Sequence, residues 1–129
     1  MISSSAFHYV NVLDKAADAS WQREQTIANN IANVDTPGYK RQDVEFESVL
    51  KRELGDSKYT SLDDKISSIH LNHLQAKERT EYAGFAYRLD GNNVDIDTEN
   101  VELASETLRY LGLTDSINQE FTRLKSVIK

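Results

Sequence analysis

The chain has 129 residues, 39% of them hydrophobic and 28% charged, with a net charge of −6, a mean hydropathy of −0.59 and no cysteine. That is enough for one thin core and no second one. The acidic balance argues against nucleic acid and anionic membrane surfaces, and the absent thiol excludes disulfides, thiolate nucleophiles and cysteine metal sites.

The first residues, Met1-Ile2-Ser3-Ser4-Ser5, have neither the basic start nor the apolar run of a secretory signal. No apolar run approaches the roughly 20 residues that span a bilayer, so membrane insertion is not expected. From Ala6 the pattern predicts a long amphipathic helix to Asn33, capped by Ser4 or Ser5. Phe7, Val10, Asp14, Ala17, Trp21, Glu24, Ala28 and Ile31 recur at threes and fours, and Leu13, Ala17, Ile27, Ile31 and Val34 run beside them. The helix would be roughly 40 Å long. Asp35-Thr36-Pro37-Gly38 ends it, because proline cannot continue the hydrogen-bond ladder.

The middle is less regular. Asp43–Leu54 reads as a short helix stopped by Gly55, and residues 55–65 have loop composition. Residues 55–80 carry no clear pattern. Phe85, Tyr87 and Leu89, then Val94 and Ile96, alternate about Asp90-Gly91-Asn92-Asn93, which predicts a small β-hairpin. A second long helix follows, capped by Asp97 or Thr98. Its stripe is Val101, Ala104, Leu108, Leu111, Thr114, Ile117, Phe121, Leu124 and Ile128. Glu99 and Glu102 favour its first turn through the helix dipole, and Gly112 is expected to bend it.

The fold class expected is therefore mainly α. Long N- and C-terminal helices pack as a coiled-coil-like pair, with a short middle helix, an irregular segment and a small hairpin. The divisions fall at 1–36, 37–97 and 98–129 within one structural unit. Pairing the helices should hide Ile27, Ile31, Leu108 and Leu111, each worth roughly 1.5–3 kcal/mol when buried.

Few residues suggest chemistry. His70 and His73 could share a helical face, but two imidazoles without a third ligand make a poor metal site. Asp95, Asp97, Glu99 and Glu106 fall at four ligand positions of a calcium loop, but Asn100 stands where its sharp turn needs glycine. No phosphate loop, nucleophile elbow or zincin motif is present. No enzyme activity, cofactor or metal is expected.

The segment most unlike a generic helix end is Ala28-Asn29-Asn30-Ile31-Ala32-Asn33, followed by Thr36-Pro37-Gly38-Tyr39. It resembles the signature of flagellar axial rod and hook proteins, an Asn-rich block before a Pro-Gly turn. Asp90-Gly91-Asn92-Asn93 with Val94 and Asp95 is similar to the element preceding the C-terminal helix in the proximal-rod type of that family. The resemblance implies a structural subunit of the bacterial flagellar basal body, in the cell envelope on the periplasmic side of the inner membrane. It implies export by the flagellar type III apparatus without a cleaved signal. Its partners would be other rod proteins, the rod–ring adaptor and MS-ring region, and copies of itself. The assembly residues expected are Phe7, Val10, Ala17, Trp21, Ile27 and Ile31 on the first helix, with Leu108, Leu111, Ile117, Phe121 and Leu124 on the last. A cytoplasmic helical adaptor or chaperone-like protein would account for both helices, but not for the Asn-rich block and the turn together.

Overall fold

A computed structural model describes residues 4–82 and 88–128. Helix α1 (Ser4–Ala32) is followed by strand β1 (Gln42–Glu45), helix α2 (Glu47–Gly55) and helix α3 (Leu62–Ser68). A 3-10 turn (Leu71–His73), strand β2 (Lys77–Thr80) and helix α4 (Ile96–Val127) complete the order. The two long helices lie against each other, as their periodicity predicts.

The strands form a two-stranded antiparallel sheet with Gln42 opposite Thr80 and Glu45 opposite Lys77. The small β element expected beside the helices is thus present, but at different residues. Of the expected 85–96 hairpin, Phe85 and Tyr87 lie outside the described residues. Arg88 to Gly91 make a turn, Gly91 N–H donating to Arg88 O at 3.1 Å. Val94 is in no strand, and Ile96 already begins α4. The helix starts there because Asp95, rather than Asp97 or Thr98, is its cap: the Asp95 carboxylate accepts from the N–H of Asp97 and of Thr98.

Three further expectations are corrected. The helix expected from Asp43 starts at Glu47, because residues 42–45 are extended, with Val44 turned inward and its neighbours half-buried. The loop expected over 55–65 gives way to α3 at Leu62. Its signal was present in Ser61-x-x-Asp64: the Ser61 hydroxyl accepts from Asp64 N–H at 3.2 Å and donates to the Asp64 carboxylate at 2.6 Å. Gly112 does not interrupt α4, which runs through it.

The core also departs from a simple helix pair. Val12 and Ala19 of α1 bury against Phe46, Ile66 and Leu74, with Tyr9, Ala16, Leu50, Leu54 and Ile69 around them. The N-terminal half of α1 therefore spends its apolar face on the middle segment. Ile27 is buried, as pairing of the helices predicts, Ala17 is buried too, and Val10, Ile31, Ile117 and Leu124 are half-buried. Leu108 and Leu111, expected to be hidden between the helices, are 71% and 57% exposed. Phe7, Trp21 and Phe121 are also largely exposed.

Candidate functional site

The Asn-rich block and the Asp-Gly-Asn-Asn element, some sixty residues apart in the chain, meet in one joint where α1 ends and α4 begins. Each asparagine in it does something different. Asn33 closes its own helix end: its Nδ2 donates to Asn29 O at 2.8 Å, and its Oδ1 accepts from the Thr36 hydroxyl at 3.1 Å. Asn29 is exposed.

Asn30 is fully buried and works across the fold. Its Oδ1 accepts from Gln42 N–H at 2.9 Å and from the Tyr39 hydroxyl at 3.0 Å. Its Nδ2 donates to Gln42 O at 2.7 Å and to Glu99 Oε2 at 3.2 Å. Arg41 O accepts from Glu81 N–H on the β2 side, so Gln42 turns its own polar groups away from that partner. Asn30 pairs both, as a third strand would.

Asn92 and Asn93 answer from the other motif. Asn92 Nδ2 lies within 3.0 Å of the carbonyls of Asn33, Val34 and Thr36, the group that follows the end of α1. Asn93 Oδ1 accepts from Arg41 N–H at 2.7 Å, and its Nδ2 donates to Glu81 O at 2.8 Å. Gly38 and Gly91 hold the two turns together. Both have positive φ, Gly38 N–H donates to Asp90 O at 2.8 Å, and a Cβ added to Gly91 would lie 3.9 Å from Gly38 Cα. Lys40 Nζ donates to Gly91 O.

Below this joint the interface between α1 and α4 is ionic. Glu106, 2% exposed, accepts from the Ser20 hydroxyl at 2.6 Å and from Arg23 Nη1 at 3.0 Å. Arg23 also reaches Asp43 at 3.0 Å and Glu102 at 3.1 Å. Glu99, 1% exposed, is paired with Arg41, which also reaches Glu81 at 3.2 Å. Burial works to lower the pKa of both arginines. The carboxylates outweigh it, so each is held above its ordinary value: Arg41 by Glu99 and Glu81, Arg23 by Asp43, Glu106 and Glu102. Tyr39 is raised by burial first, then by Glu99 and Glu78.

Sequence reasoning missed this ionic interface. Glu99 and Glu106 are one heptad apart, but acidic residues on a long helix ordinarily face water, and their arginines come from distant segments. The calcium-loop spacing does not become a site, since Asp95 caps α4 and Glu99 and Glu106 pair with arginines. The rings of His70 and His73 are 5.3 Å apart, and His73 Nδ1 lies 3.2 Å from Glu53. No group of three His, Cys, Asp or Glu that could hold a metal occurs among the described residues. No described helix is long and apolar enough to cross a membrane. The arrangement is built to lock segments together, and all of its charged groups are used in doing so.

Comparison with known proteins agrees with that reading. The family model described as flagella basal body rod protein matches residues 13–40, the α1 end and its turn. The chain is 32% identical over 117 residues to the flagellar basal body rod protein FlgB of Bacillus subtilis, covering 90% of this chain and 89% of the relative. It is 36% identical over 101 residues to that of Salmonella typhimurium, covering 72% and 73%. To that of Borrelia hermsii it is 33% identical over 129 residues, covering 93% and 95%. The matches to the Bacillus and Borrelia relatives cover 90% and 93% of the chain, so likeness is not confined to one helix end. The chain belongs to the flagellar basal body rod protein family, of the FlgB type, and its role is that of a structural rod component.

Proposed function

We propose that this chain is a subunit of the proximal part of the rod, carrying torque from motor to hook and catalysing no reaction. The observation that carries the reading is the outward apolar line of α4. Val101, Leu108 and Leu111 are 69%, 71% and 57% exposed on a helix whose opposite side is already docked. Covering each large aliphatic side chain is worth roughly 1.5–3 kcal/mol, so such a line favours contact with another subunit. Phe7, Trp21 and Phe121 add exposed aromatic anchors on the two long helices. Contacts between different faces of neighbouring copies generate an open helical array where the rotation from one copy to the next does not close.

In this reading the joint and its ion pairs keep each subunit rigid, while Val10, Ala17, Ile27, Ile31, Ile117 and Leu124 support the helix pair from within. The neighbours are other rod proteins, the rod–ring adaptor and MS-ring region, and further copies of the chain. The subunit reaches them through the flagellar type III export apparatus, on the periplasmic side of the inner membrane.

The test is the double substitution Leu108→Asp with Leu111→Asp in the source cell. Both side chains are exposed, so the purified variant should keep its far-UV circular dichroism and thermal midpoint. Cells carrying it should lose swimming, and basal bodies isolated from them should lack the rod. Normal swimming with a folded variant would refute the assembly surface.

A further inference from the structure

α4 carries two lines of side chains able to meet α1. One is Glu99, Leu103, Glu106, Tyr110 and Leu113; the other is Val101, Ala104, Leu108 and Leu111. Both repeat at threes and fours, and they stand two residues apart, about 200° round the helix at 3.6 residues per turn. Over this stretch the second line is wholly apolar, whereas the first contains two carboxylates. If apolar burial alone chose the contact, Leu108 and Leu111 would face α1. They face water, while Glu99 and Glu106 are the buried residues of the helix.

What reverses the preference is what the other elements present. α1 offers the Ser20 hydroxyl and Arg23 to Glu106, and Asn30 Nδ2 to Glu99. The residue before β1, Arg41, completes the set at Glu99. Asp43, Glu81 and Glu102 share the two arginines, and Arg109 lies 3.7 Å from Glu106. Turning Leu108 inward would part Glu99 and Glu106 from these donors and leave Arg23 and Arg41 half-buried with fewer partners. The anchor at Asn92 and Asn93 fixes where α4 begins. Val94, buried and bonded to Asn92 Oδ1, and the Asp95 cap join that anchor to the helix, and the pairing of Glu99 and Glu106 adds the face it turns to α1.

We propose that Glu99 and Glu106, with Arg23 and Arg41, are specificity determinants that choose which face of α4 meets α1, and so hold its more apolar face outward. That the outward face then serves assembly rests on the rod reading above; the choice of face does not. Buried ion pairs add little net stability over apolar replacements of the same shape, and in some proteins they serve instead to select one arrangement among near-equals.

The chain has no cysteine, so single introduced thiols report the choice directly. Leu108→Cys and Leu103→Cys would each be placed in the full chain, in the native background and with Arg23→Met and Arg41→Met. Methionine keeps the unbranched stem and removes the charge. Labelling of the folded protein with a maleimide is then timed, with circular dichroism as the check on folding. In the native background Leu108→Cys should react several-fold faster than Leu103→Cys. In the arginine variant the order should reverse, with Leu108→Cys slowed at least tenfold. An unchanged Leu108→Cys rate in the folded variant would overturn the proposal. Should the arginine variant not fold, Glu99→Gln with Glu106→Gln keeps the shape while removing the charge and one acceptor oxygen from each, and a threefold slowing there supports the same conclusion. An unchanged rate, or loss of the fold in both variants, would mean these groups serve folding rather than the choice of face, and would overturn it equally.

Discussion

Replacing Asn30 by leucine isolates what the Asn-rich block contributes. The two side chains are close in size, so the change removes hydrogen bonds while leaving the volume filled. Four bonds are lost, two of them to the backbone of Gln42. Glu99 keeps Arg41, and the Tyr39 hydroxyl keeps the Asn29 amide at 3.5 Å. Gln42 N–H and C=O have no such substitute, because they point away from β2. Leaving two part-buried backbone groups unpaired costs up to about 1–3 kcal/mol each, or up to about 6 kcal/mol together. Domains of this size are stable by about 5–15 kcal/mol, so a large share of the total is at stake. Urea unfolding followed at 222 nm should show the midpoint fall accordingly with an unchanged slope. Asn29→Leu, one residue earlier but exposed, should stay within about 0.5 kcal/mol of the native chain. A loss below about 0.5 kcal/mol for Asn30→Leu would refute the clamp, and equal losses for both would refute the assignment of distinct roles.

Two further outcomes are expected. Gly112→Ala should stabilise the isolated chain by about 1 kcal/mol, raising the thermal midpoint by a few degrees, because the helix is unbroken there and an added Cβ meets no atom within 4 Å. A fall in the midpoint would show that the glycine's backbone freedom is used. The Tyr39 phenol is held above its ordinary 10.0, so its neutral form is favoured by folding. That contribution is complete below pH 10 and is lost as pH rises through the folded value; Tyr39→Phe should therefore lose less stability than the native chain in urea titrations across that range.

The parts of the fold legible in the sequence are those governed by short-range periodicity. α1 shows itself in the line of Leu13, Ala17, Ile27, Ile31 and Val34, and α4 in Ile117 and Leu124, all buried or half-buried, because a helix must place its inward residues at threes and fours whatever it packs against. Which of two such lines turns inward is another matter. Val101, Leu108 and Leu111 read as the seam by hydrophobicity, and they are not, since the buried carboxylates of the inward face pair with Arg23 and Arg41, more than fifty residues before α4. β1 fails for the same reason. Its extended form goes with pairing to β2 on one side and with Asn30 taking the N–H and C=O of Gln42 on the other, and neither partner is visible from residues 42–45. α3 is different: Ser61 and Asp64 state its start locally, and only the polar composition around them hid it.

The two motifs were legible as motifs, yet their meaning lies in the contact between them. Asn92 binds carbonyls beyond the end of α1, and Asn93 binds the backbone of Arg41, whose side chain then pairs Glu99 one turn into α4. Each link needs the previous one in place: the helix end fixes the turn, the turn fixes Arg41, and Arg41 fixes the rotation of α4. A chain with a thin core and an acidic surface could not hold two long helices in one orientation by apolar contact alone, because its better apolar line points away from the contact. Polar groups with few acceptable partners supply the direction that hydrophobicity lacks. In the proposed rod reading, where the outward face of α4 meets a neighbour, that direction matters more than the small net stability the ion pairs provide.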